Sequence, residues 1–291
     1  MRRGSAAMVR MSDVWDRASD VIARRRGDLA SIALLFIWLP GLLRTVAGIA
    51  VRGTGIGTAT GPVAASAADG GALFLDVVGL AAILLGLVGQ LALVALASDP
   101  GIDRAAALRV ARRRFWPYVG IMALVVVGFV VLIVPLMIAL AGAYPGLAAM
   151  QAGVPPQIAP GTGLFVLLYS VALMIVIFWV EARLLILLTP VVVNERLGIG
   201  TFRRAWALTR GLTWRIIGVL LLFGVVALVA FLAVQGVVGV TLRLLLGASQ
   251  AGLALFLTAA AVSLVSCVVS VVAAAFTAQL FLAVAGMRPR A

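Results

Sequence analysis

The chain has 291 residues, of which 64% are apolar and only 11% charged, against roughly half and a quarter in soluble domains. Its formal charge is +13, its 23 basic residues are all arginine, and it has one cysteine and no histidine. This composition excludes an ordinary soluble globule, an internal disulfide and a thiolate metal cluster, and it removes the commonest general base and metal ligand near neutral pH.

The first 28 residues are polar and arginine-rich, and an apolar run begins at Leu29. That run is long enough to span, unlike the roughly 7–15 apolar residues of a signal peptide, so an uncleaved first span is expected. Six transmembrane helices follow in order: Leu29–Val51, Leu73–Ala97, Val119–Ala141, Leu164–Thr189, Ile216–Val240 and Leu253–Val284. Each approaches or exceeds the roughly 20 residues that cross hydrocarbon. Pro40, Pro135 and Pro190 are expected at kinks or ends. The fourth and sixth runs exceed a span, and tilt or extension past the interface absorbs the excess. The loops Arg52–Ala72 and Gly142–Gly163 read as flexible connectors or shallow caps. Within the first, Gly53–Gly61 contains G-x-G but has neither a βαβ context nor a lysine, so it does not read as a phosphate loop.

A unit of one arginine-rich stretch and two spans recurs three times, over approximately 12–98, 99–197 and 198–287 of a single membrane domain. Ala107–Gly120, ALRVARRRFWPYVG, aligns with Ala205–Gly218, AWALTRGLTWRIIG, placing Arg112 on Arg210 and Trp116 on Trp214. The first copy, Trp15–Gly27, is the weakest match. Each unit closes on an echo: Gly89-Gln90-Leu91, Ala182-Arg183-Leu184 and Ala278-Gln279-Leu280. The predicted fold is thus an all-α polytopic bundle with threefold repetition and interfacial helices.

Nineteen arginines fall on the N-terminal segment, the second-to-third and fourth-to-fifth connections and the tail. Arg44, Arg52 and Arg243 alone lie on the opposite side. This asymmetry predicts cytoplasmic termini in a bacterial inner membrane. The charge therefore points to anionic lipid headgroups, not to nucleic acid.

The arginine-rich stretches have helical apolar stripes. These are Trp15, Ala18 and Ile22; then Leu108, Ala111 and Phe115; then Phe202, Ala205, Trp206 and Thr209. Asp99-Pro100 suits one helix start and Thr201 suits an N-cap at another. Arg109, Arg112, Arg113, Arg203 and Arg210 are candidate contacts for lipid headgroups or a protein partner, with Trp116, Trp206 and Trp214 at the membrane boundary. Anchoring alone is the alternative role for these helices.

Polar side chains within spans are the other candidates, because hydrocarbon penalises them unless they face protein or water. Gln90, Arg183 and Gln279 occupy matching repeat positions, and Glu181 lies nearby. They read as a polar cluster that holds the bundle together, or as the lining of a headgroup or solute path. Glu181 and Arg183 are two residues apart on a helix, so they point apart, and Arg210 is a candidate partner for Glu181. Trp179, four residues before Arg183, is placed for cation–π stacking. No nucleophile elbow, metal-ligand cluster or cofactor motif is present, and no catalytic residue is assigned.

The stretch Glu181–Leu222 carries Arg183-Leu184, Pro190 followed by valines and Glu195, Arg204-Ala205-Trp206, Leu208-Thr209-Arg210-Gly211 and Trp214-Arg215. It resembles the membrane domain associated with bacterial glycerophosphoryl diester phosphodiesterases and related stand-alone six-span membrane proteins of unknown function. The last span departs from that pattern, reading Phe276-Thr277-Ala278-Gln279 in place of a Tyr-Asp-Arg-like ending. In the fused proteins a separate barrel performs the hydrolysis, with histidine and metal-binding carboxylates. The resemblance therefore implies a helical membrane module concerned with lipid or with positioning a partner. The leading expectation is a non-catalytic protein that binds or organises anionic lipid or scaffolds a partner; the alternative is a transporter-like subunit with a polar path between the repeats.

Overall fold

The computed structural model describes residues 10–52, 62–142, 159–195, 200–209 and 212–286. Arg210, the Gly53–Gly61 stretch and most of the Gly142–Gly163 loop lie outside the described residues. Among the described residues every element is helical. Six helices are long and apolar enough to cross a membrane: Met11–Val51, Gly70–Ser98, Arg104–Ala141, Pro160–Asn194, Thr213–Leu246 and Ala251–Ala285. This is a multi-pass membrane protein.

Helix α1 (Met11–Ala33) passes through a π turn, Leu34–Trp38, into α2 (Leu39–Arg52). The arginine-rich stretch and the first span are thus continuous, apart from a kink at Arg25, where φ is −121° and ψ is 22°. The widened turn sits immediately before Pro40, whose ring would press on the carbonyl one turn earlier in a regular helix. Helix α3 (Pro62–Ser98) starts some eleven residues before the predicted span, within the Arg52–Ala72 loop. Helix α4 (Arg104–Ala141) merges the second arginine-rich stretch with the third span and continues past Pro117 and Pro135. Its start is capped by Asp103, whose Oδ1 accepts from Ala106 N at 2.7 Å. Asp99-Pro100 lies in the preceding turn instead, where Arg25 donates to both carbonyls.

The fourth span comprises α5 (Pro160–Val180), a π turn (Glu181–Leu185) and α6 (Ile186–Asn194), with Pro190 inside it. Helix α7 (Gly200–Leu208) lies across it; Thr201 is within the first turn and fully buried, not at the N-cap. The fifth span is α8 (Thr213–Ala233), a third π turn (Val234–Val238) and α9 (Gly239–Leu246). The sixth is α10 (Ala251–Ala285), ended by Gly286 in the left-handed region, φ 66°.

The core sits at the arginine-rich end. The last turns of α3 (Leu91–Ala97), α6 (Ile186–Val193) and α10 (Ala274–Leu282) are almost wholly buried there. The arginine-rich segments of α1, α4 and α7 close over them through pairs spaced four apart: Val14 and Ala18, Ala107 and Ala111, Thr201 and Ala205. This buried edge lies one residue round from the large apolar side chains of the sequence stripes. Small residues let these helices approach the span ends closely, while Trp15, Leu108 and Phe202 flank the contact. Elsewhere the spans expose Leu, Val and Ile along their length, as lipid-facing helices do.

Candidate functional site

Arg109, Arg112 and Arg113 on α4 and Arg203 on α7 are exposed at the core end of the bundle. Trp116 and Trp214 are 76% and 85% exposed beside them. Such indoles pack against acyl chains and glycerol while the guanidinium groups reach phosphate. Arg204 is tied down differently, its Nε donating to both oxygens of Glu195 at 3.1 and 3.0 Å.

Arg183 has the most distinctive surroundings. Its guanidinium carbon lies 4.2 Å from the Trp206 ring centroid and 5.3 Å from that of Trp179, within cation–π range of both. The two indoles meet edge to face, 5.1 Å apart. Arg183 is held by the π turn Glu181–Leu185, which takes a carbonyl out of the regular helical ladder. The Arg183 carbonyl accepts from the Thr209 hydroxyl at 2.8 Å, fastening the end of α7 to the fourth span. The Arg183 Nε is buried and has no hydrogen-bond acceptor.

Beside this guanidinium lies a cavity of about 250 Å³, lined by Trp179, Arg183, Thr213, Trp214 and Ile217. Thr213 is the first residue of α8. Arg183 is therefore level with the mouth of the fifth span, and the fourth continues roughly 16 Å beyond it to Asn194. The long apolar run of the fourth span is thus an extension past its neighbour.

The other polar candidates have separate surroundings. Gln279 is buried, and its Nε2 donates to the Ala97 carbonyl at 2.8 Å. Gln90 and Glu181 are half-buried. Glu195, just past the end of the fourth span, pairs with Arg204. Trp179 was signalled by its four-residue spacing from Arg183; Trp206 and Thr213 come from segments remote in sequence and had no such signal. Arg25 also escaped notice. It sat in a run of three arginines, yet it alone donates to Leu96, Asp99, Pro100 and Ile102 carbonyls, at 3.1, 3.2, 2.6 and 2.7 Å.

No protein-family model, curated protein or solved structure matches this chain.

Proposed function

We propose that the protein is a non-catalytic module of a bacterial inner membrane that binds and organises anionic lipid, with its arginine-rich end and both termini in the cytoplasm. The observation that carries this reading is the coincidence, on one end of the bundle, of exposed Arg109, Arg112, Arg113 and Arg203 with exposed Trp116 and Trp214. Each arginine near an anionic leaflet adds roughly 1 kcal/mol of attraction. The repeat reading is supported by the three buried pairs four residues apart and by the three span ends that converge beneath them. The resemblance of Glu181–Leu222 to phosphodiesterase-associated membrane domains fits a lipid-facing role. A solute path between the repeats is disfavoured by fully buried Leu91, Leu93, Leu187, Leu188 and Leu280, which fill the core at this end.

The test replaces Arg109, Arg112 and Arg113 with Gln and counts anionic lipids that co-purify with the full chain. The expected result is fewer anionic lipids and a weaker response to added salt. An unchanged lipid count sinks the reading, and a protein lost from the preparation in parallel makes this surface a partner site.

A further inference from the structure

The cavity beside Arg183 combines features that a general lipid-facing surface lacks. Three of its lining residues, Trp179, Trp214 and Ile217, offer apolar surface, whereas Arg183 and Thr213 supply its polar groups. The guanidinium lies within cation–π range of two indoles, which do not take up its N–H donors as an acceptor would. Its Nε–H is buried without an acceptor. The fifth span begins at the same place, and Leu212 at its N-cap position supplies no side-chain cap. A helix start carries about half a positive charge. A guanidinium next to it is the wrong sign of neighbour, and an anion between them satisfies both. The Thr213 hydroxyl donates to the Thr209 carbonyl at 3.3 Å, which holds the first turn of α8 against the end of α7.

We infer that this cavity is a specific site for one phosphate ester, held between the Arg183 guanidinium and the first turn of the fifth span. The inference rests on the lipid-binding reading and gives it a single address. A lipid headgroup and a soluble phosphate ester share this chemistry. Ile217, one turn into the span, places apolar surface directly below the polar groups, as an acyl-bearing ligand requires.

The experiment is native mass spectrometry of the full chain in detergent, titrated with phosphatidylglycerol or phosphatidylcholine. One phosphatidylglycerol should survive activation after all other lipids have left. Arg183→Gln should reduce its retention about tenfold, the loss of one charge-assisted contact. Trp214→Ala should also reduce it; that side chain is 85% exposed, so the variant folds whether or not Arg183→Gln does. Replacing Arg109 and Arg112 with Gln should lower the total lipid count and leave the last lipid in place. A last lipid indifferent to both Arg183→Gln and Trp214→Ala overturns the site and leaves the lipid-binding reading standing. Equal retention of both lipids by the unaltered chain overturns the anionic-lipid reading, and the site falls with it if that retention also ignores Arg183→Gln. Displacement of the last lipid by excess inorganic phosphate or glycerol 3-phosphate keeps the phosphate site and assigns it to a soluble ester.

Discussion

The Gln279 side chain donates from Nε2 to the Ala97 carbonyl across 2.8 Å, joining the sixth span to the end of the second. Both residues are at most 5% exposed. Helix α3 ends at Ser98, so its last carbonyls have no partner within the helix. Gln279→Leu keeps the volume and removes the donor, leaving the Ala97 carbonyl buried and unpaired. The expected cost is about 1–3 kcal/mol, read as a lower unfolding midpoint in detergent. Gln90→Leu, at a half-buried position, should shift it less.

Arg25 completes the same cap from the first repeat. Its Nη1 donates to the Leu96 and Asp99 carbonyls, and its Nη2 to those of Pro100 and Ile102. Only a planar fork reaches four acceptors arranged this way, and a lysine ammonium does not reproduce it. Arg25→Lys and Arg25→Ala should both destabilise, the latter by about 3 kcal/mol or more, since hydrogen bonds to a charged group contribute roughly 1.5–3 kcal/mol each. Arg24→Ala, on an exposed neighbour, should stay within about 0.5 kcal/mol. Thermal unfolding of the three variants side by side decides it.

These two caps show what the sequence reveals and what it withholds. Span length and the placement of arginine are local properties, so the six membrane helices could be found by counting apolar residues. The pairing of Trp179 with Arg183 was legible for the same reason, since one helical turn fixes it. Arg25, by contrast, differs from Arg24 and Arg26 only through the kink that turns its side chain toward the α3–α4 turn. The repeat put Gln90, Arg183 and Gln279 at equivalent positions, yet equivalent positions meet different neighbours. Gln279 faces an orphan carbonyl, whereas Arg183 faces two indoles. Trp206 could not be assigned to Arg183 because the link depends on how α7 lies across the fourth span.

Gly89 marks a close approach of the first two spans. A Cβ there would meet the Phe36 Cβ at 2.6 Å and its backbone carbon at 3.7 Å. Phe36 sits in the π turn Leu34–Trp38, so its Cβ cannot move without the backbone. Gly89→Ala should therefore force the spans apart, at about 1–3 kcal/mol. Gly86, one turn away on the same helix, has nothing within 4 Å of the equivalent position. Gly86→Ala should gain up to about 1 kcal/mol from helix propensity. Opposite shifts in unfolding temperature are the expected outcome, and two shifts of the same sign would rule out this packing.

The Arg204–Glu195 pair should matter little to stability despite its two-oxygen geometry. The Arg204 side chain is 41% exposed, so solvent screens the attraction and ordering the side chain offsets much of it. A double-mutant cycle with Arg204→Ala and Glu195→Ala should return a coupling below about 1 kcal/mol. It should shrink further in high salt.

Thr209 is the small residue on which the Arg183 environment depends. Its hydroxyl donates to the Arg183 carbonyl at 2.8 Å, beside the π turn. It also lies three residues after Trp206, whose ring covers the guanidinium. Thr209→Val is nearly isosteric and removes that hydrogen bond, at an expected cost of about 0.5–1.5 kcal/mol. The local consequence is more telling than the global one. Without this tie, the end of α7 is free to lift from the fourth span, and the Trp206 and Trp179 rings separate from Arg183. Tryptophan emission should then change, because indoles that were packed on a cation become more exposed to solvent. Thr209→Ser retains the hydroxyl and should restore both stability and emission. An emission change that Ser fails to reverse would assign the effect to the lost methyl group, and the hydrogen bond would not be what positions Trp206.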